Sequence, residues 1–321
     1  MKVFSFTILF VLLCALNVNA FNLIDFISDI FGGSGSSKEV KTTYESNVVK
    51  DIKFGGSSAG YLDVYYDKAN VKTLKPVVIF LHGGAWVSGN KSDYVNNGKF
   101  LSEDGYVAVL SNYILFPKGK VEEMVNDVYQ TIQWTYNNIK NYGGDRSKIT
   151  LVGYSAGAHL AALTTIKAAL RMENNDKYLQ PLPKLEKVVL FNPPLDFDDY
   201  DAVLKIFGIK GNSSLGEGLV KSIVRLLLDS DDVGPTDILE NLRSNSVSDF
   251  GFPTITIFHG GKDQLIPAVS VDNFIKNIKR VSPKIKVNDV YQATFDHGTL
   301  LDGSAKNDKT MKQMFLDIIK M

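Results

Sequence analysis

Cysteine is almost missing from this 321-residue chain: Cys14 is the only one. It falls inside an N-terminal apolar run, so a chain that has lost that run would hold neither thiol nor disulfide. A disulfide-stapled small fold is therefore excluded, and stability must come from core packing. A charge excess of either sign is also lacking, since 35 Lys and Arg balance 35 Asp and Glu. With no long basic run or stripe there is no electrostatic footprint for a polyanion, and no nucleic-acid partner is expected. Histidine is scarce, with 4 in the chain, and no group of His and carboxylates has ligand spacing; neither metal nor cofactor is expected. The acidic group Asp196, Asp198, Asp199 and Asp201 reads as a solvated loop. No internal repeat is present.

The apolar run over 3–16 falls short of the roughly 20 residues that a spanning helix needs. It follows Lys2 and precedes Val18-Asn19-Ala20, with small residues at the cleavage positions. This is the pattern of a secretory signal over 1–20, cut after Ala20; an uncleaved signal anchor is the alternative. Cleavage would leave no membrane span and would place the protein outside the cell or in the secretory lumen. There, the sequons at Asn90 and Asn212 become candidate glycosylation sites.

What is present is core material. Hydrophobic residues make up 45% of the chain and charged residues 22%, enough for one sizeable α/β domain over 43–321. Ahead of it, 21–42 holds an amphipathic stretch at 21–31 and a Gly/Ser linker. That stretch is predicted as a docked helix, with a lid or a membrane-surface contact as alternatives. Apolar β-prone runs at 61–66, 77–81, 107–111, 149–153, 187–191, 254–259 and 286–291 alternate with helical patterns at 92–103, 121–140, 155–170, 269–279 and 304–320. Alternation of this kind predicts a mostly parallel, doubly wound sheet, and the continuous apolar runs predict central strands buried on both faces. The stretch 196–248 breaks the alternation and is predicted as a helical cap insertion.

The sharpest local signal is Gly153-Tyr154-Ser155-Ala156-Gly157, a G-x-S-x-G motif between a strand and a helix. Serine at such a turn is lifted above the sheet as an exposed nucleophile, with a helix N-terminus behind it. After the strand at 77–81 comes His82-Gly83-Gly84-Ala85-Trp86, where backbone amides can meet the charge that develops on a carbonyl oxygen. The amides of Gly83, Gly84 and Ala156 are the expected oxyanion donors. His82 reads as shaping its loop, and Trp86 and Tyr154 are candidate pocket residues.

A serine nucleophile needs a base and an acid, in the chain order Ser, acid, His. His159 lies on the same helix as Ser155 and faces away, so its expected role is structural. His297 follows the last strand in a polar loop and is the better base; His259, which ends the preceding strand, is the other histidine in that region. Asp263, on the loop after His259, is the expected acid. Asp296 competes, but a sequence neighbour is poorly placed to fold back onto the same imidazole.

The segments from Lys75-Pro76 to Trp86, Asn112 to Pro117, and Tyr142-Gly143-Gly144-Asp145-Arg146 into Gly153-Tyr154-Ser155-Ala156-Gly157-Ala158-His159-Leu160 resemble the carboxylesterases of the α/β-hydrolase superfamily. Across 116–160 the chain is most similar to the prenylcysteine methylesterase-like branch, and its His82 to Trp86 box is also similar to that of kynurenine formamidases. The resemblance implies an α/β-hydrolase fold and a small-molecule ester substrate cleaved through an acyl-enzyme. An amidase or formamidase and a non-catalytic binding protein of the same fold are the alternatives. A prenylcysteine methyl ester arises on the cytosolic side of membranes, which conflicts with export of this chain.

Overall fold

The computed structural model describes residues 47–197 and 233–321. The expected signal, Cys14, the segment over 21–42, most of the expected cap and Asn212 lie outside the described residues. The chain opens with strands β1 (Val48–Lys53), β2 (Tyr61–Tyr65) and β3 (Lys75–Leu81). Helix α1 (Val95–Glu103), β4 (Val107–Ser111), α2 (Val121–Asn138), β5 (Gly144–Tyr154) and α3 (Ala156–Ala169) follow. A small ribbon of β6 (Glu173–Asn174) and β7 (Lys177–Tyr178) leads to β8 (Lys187–Phe191). Beyond 232 come α4 (Pro235–Glu240), β9 (Thr254–Gly260), α5 (Ala268–Val281), β10 (Lys286–Gln292), α6 (Thr299–Ala305) and α7 (Lys309–Lys320).

The main sheet has eight strands in the order β1-β2-β4-β3-β5-β8-β9-β10. Pairing is antiparallel from β1 to β4 and parallel from there to β10. This is the mostly parallel, doubly wound sheet that the alternation predicted. Strands β3, β4, β5 and β8 read as apolar runs because helices cover both of their faces. One face carries Phe80, Phe100, Phe191, Phe258 and Phe315 in mutual ring contact, all fully buried. Each such ring contributes about 2 kcal/mol by leaving water. The other face packs α2 and α3 through Ile132, Leu160, Leu163 and Ile166.

The pattern-based reading missed an edge strand and a helix break. Strand β1 went unpredicted because it is an edge strand whose residues are largely exposed, with no apolar run to announce it. The helix expected over 304–320 is two helices: Asn307 is in the left-handed region and the Asp308 carboxylate caps α7 by accepting from the amides of Thr310 and Met311. Within the stretch expected as a cap, 235–240 forms α4, which packs on α5 and α3.

Candidate active site

The carboxyl ends of β3, β5, β8 and β9 converge on Ser155. Its backbone (φ 50°, ψ −119°) is in a region that L-residues avoid, at a cost of order 1–3 kcal/mol. The surroundings enforce it. The Ser155 amide donates to the Phe191 carbonyl at the end of β8 (2.9 Å), and its own carbonyl accepts from Ala158 and His159 in the first turn of α3. The turn closes this tightly because Gly153 and Gly157 have no side chain. A Cβ on Gly153 would lie 2.4 Å from the Gly157 carbonyl oxygen, and one on Gly157 would lie 2.4 Å from that of His82.

His297 Nε2 lies 2.9 Å from Ser155 Oγ, and its Nδ1 lies 2.7 Å from Asp263 Oδ2. The three side chains come from different loops, and those of His297 and Asp263 are buried beside the buried Ser155. Asp263 is saturated with donors: Oδ1 accepts from the amides of Leu265 and Ile266, and Oδ2 also accepts from Asn192 Nδ2 at 2.8 Å. Burial pushes the Asp263 pKa up, but the hydrogen bond and charge of His297, the Ile266 amide and Asn192 outweigh it, and the net shift is downward. Asn192 escaped the sequence reading; its only signal is its place at the carboxyl end of a central strand. The Tyr154 hydroxyl donates to the His297 carbonyl (3.2 Å), and its ring lies 5.4 Å from the imidazole.

The other histidines are elsewhere engaged. His259 Nε2 pairs with Asp289 on β10 at 2.9 Å. His82 is buried, stacks on Tyr113 and donates through Nδ1 to the Gly83 carbonyl. Burial pushes its pKa down to about 4, so it is neutral. His159 is buried on the helix and bonds Trp86 and the Val233 carbonyl. Asp296 spends its carboxylate on the Gly298 and Thr299 amides, shaping the loop that carries His297.

A narrow apolar cavity opens on Ser155, walled by Ala85, Trp86, Pro194, Leu265, Ile266 and His297. Trp86 is thus where a pocket residue was expected, whereas Tyr154 lies behind His297. The expected oxyanion donors are also placed unequally. The Gly83 amide faces the Tyr94 hydroxyl, and a Cβ there would strike the Tyr154 ring at 2.8 Å. The chain then turns through Gly84, Ala85 and Trp86, all at positive φ. Among the described residues the amides of Gly84, Ala85 and Ala156 have no backbone acceptor. This constellation can present amides to a carbonyl oxygen while the hydroxyl attacks its carbon. Among the described residues no group of three His, Cys, Asp or Glu could hold a metal ion, and no helix is long and apolar enough to cross a membrane.

The BD-FAE family model matches residues 62–278. Among curated proteins, the chain is 29% identical over 254 residues to a probable isoprenylcysteine alpha-carbonyl methylesterase of Oryza sativa subsp. japonica, covering 75% of this chain and 55% of that one. It is 27% identical over 269 residues to esterase LipC of Mycobacterium tuberculosis, covering 79% and 60%. The chain therefore spans little more than half the length of these relatives. Among solved structures, esterase B of Lactobacillus rhamnosis superposes with a TM-score of 0.61 at 18% identity, covering 85% of this chain and 86% of that one. Thermogutta terrifontis esterase 2 with butyrate bound also gives 0.61, at 21% identity, covering 86% and 95%. These likenesses establish the α/β-hydrolase fold.

Proposed function

The chain belongs to the BD-FAE family, and from that premise we propose that it is a serine hydrolase of carboxylic esters that works through an acyl-enzyme. The observation that carries this reading is the unbroken relay from Ser155 Oγ through His297 to Asp263, at 2.9 and 2.7 Å. The Ser155 oxygen bonds to the ester carbonyl carbon as His297 Nε2 takes the hydroxyl proton. Asp263, held ionised, steadies the imidazolium. The amides of Gly84, Ala85 and Ala156 hold the oxyanion, with Gly83 kept side-chain-free for close packing. Collapse breaks the bond to the alkoxy oxygen, which leaves as an alcohol with the Nε2 proton. Water then repeats the sequence and frees the acid. The apolar walls at Trp86, Pro194, Leu265 and Ile266 suit an uncharged acyl or alkyl group.

Turnover of p-nitrophenyl esters of increasing chain length tests this directly. Ser155→Ala is expected to lower kcat by about 10³-fold or more; an unchanged rate overturns the proposal. The His82 to Trp86 box also favours a formamidase, and faster turnover of an N-formyl amide than of any ester would put that reading first. Export is part of the proposal, supported by Lys2, the apolar run over 3–16 and the exposed position of Asn90. An endoglycosidase-sensitive mobility shift, lost on replacing Asn90 and Asn212 by Gln, is the expected result in a eukaryotic secretory host.

A further inference from the structure

Trp86 forms a wall of the cavity on Ser155, yet its backbone is the last of three consecutive residues at positive φ. Two hydrogen bonds among the described residues help to hold it. The Phe116 amide donates to its carbonyl at 2.9 Å, and its indole Nε1–H donates to His159 Nδ1 at 3.1 Å. The second contact fixes the state of the imidazole: with Nδ1 accepting, Nε2 must carry the proton that goes to the Val233 carbonyl. Only a neutral ring can make both bonds. Full burial pushes the His159 pKa down to about 4, against the opposing effect of the Val233 carbonyl, and keeps it in that state.

The partners of this ring come from separate parts of the chain. Trp86 follows β3, Val233 precedes α4, and Phe197 follows β8. The Phe197 ring lies 5.3 Å from His159 and 5.9 Å from Trp86 by ring centroid. One buried imidazole therefore joins the pocket wall to two chain segments that lie 36 residues apart in the sequence and flank the pocket side of the sheet.

We infer that His159 is a specificity-determining positioning residue: it sets the orientation of Trp86, and through it the acyl or alkyl chain length accepted at Ser155. This rests on the hydrolase reading above. His159 touches no reacting atom, so its loss changes the shape of the cavity rather than the nucleophile. Gln can mimic the neutral ring, accepting through Oε1 and donating through Nε2; Leu can do neither.

The test compares wild type, His159→Gln, His159→Leu, Trp86→Phe and the His159→Leu/Trp86→Phe double variant on p-nitrophenyl acetate, butyrate and octanoate. A fluorophosphonate probe reports Ser155 reactivity alongside. His159→Leu is expected to change the ratio of kcat/KM between short and long esters by about tenfold, the scale at which pocket shape discriminates. His159→Gln should stay within about threefold of wild type, and Trp86→Phe, which removes the donor, should shift the ratio as His159→Leu does, with no further shift in the double variant. An unchanged ratio in His159→Leu overturns the inference, as does additivity in the double variant. If His159→Leu fails to fold, an unchanged ratio in Trp86→Phe overturns it. If wild type neither labels nor turns over, it is the hydrolase reading that fails. Trp86 emission in a Trp134→Phe background, which leaves a single tryptophan, then decides the positioning claim: a shift in His159→Leu that Gln restores supports it, and no shift overturns it.

Discussion

In the proposed mechanism the chemistry turns on Asp263, which accepts from His297, Asn192 and two backbone amides. Its negative charge selects the His297 tautomer that leaves Nε2 free to take the Ser155 proton. Asp263→Asn keeps the shape but offers the wrong hydrogen-bonding face, and a kcat loss of about 10⁴-fold with little change in KM is expected from steady-state kinetics. Asn192 is at positive φ (47°), so Asn192→Gly removes its donor to Asp263 while keeping the backbone unstrained. Its expected loss is about tenfold in kcat, with KM again unchanged, as befits a charge-assisted bond of about 1.5 kcal/mol. Asp263 and His297 could be named as candidates from the sequence because the chain order Ser, acid, His points to the loops that carry them, and the structure brings the two side chains together. Asn192 could not, since an Asn before two prolines at a strand end has no motif. Nor could sequence decide which amides of the His82 to Trp86 loop face the cavity, because that depends on three successive positive-φ residues.

At the scale of elements, the site depends on how closely α3 approaches β5 and β3. Gly153 permits the first approach and Gly157 the second, and in both cases an added Cβ would meet backbone atoms that no rotamer change can move aside. Gly153→Ala and Gly157→Ala should each cost about 1–3 kcal/mol in chemical denaturation and slow Ser155 labelling, because relief requires the nucleophile turn itself to shift. Strands β3, β4, β5, β8 and β9 could be read from the sequence within a few residues, since burial on both faces leaves an apolar run. Strand β1 and the α6–α7 break could not. The first is an exposed ribbon edge, and the second is made by a cap at Asp308 inside a continuous helical pattern.

For the whole molecule, burial of neutral histidines makes stability depend on pH. His82 and His159 are almost fully buried, and each has its pKa pushed down to about 4 from an ordinary 6.5. Between those values the unfolded chain binds more protons than the folded one, so stability rises with pH across this window and is lost as pH falls from about 6.5 toward 4. Each histidine contributes about 3 kcal/mol to that loss. Denaturant midpoints should fall steeply over this range in wild type, and less steeply in His159→Gln, which has one titrating group fewer; equal slopes would remove His159 from the explanation. The central claim is that one serine of this fold is a nucleophile made reactive by its neighbours. Its most direct test is fluorophosphonate labelling of the intact, folded protein, with the adduct located by peptide mass mapping. A single adduct on Ser155, lost in His297→Ala, is the predicted result; a folded protein with no adduct at Ser155, or with labelling indifferent to His297, would contradict the account.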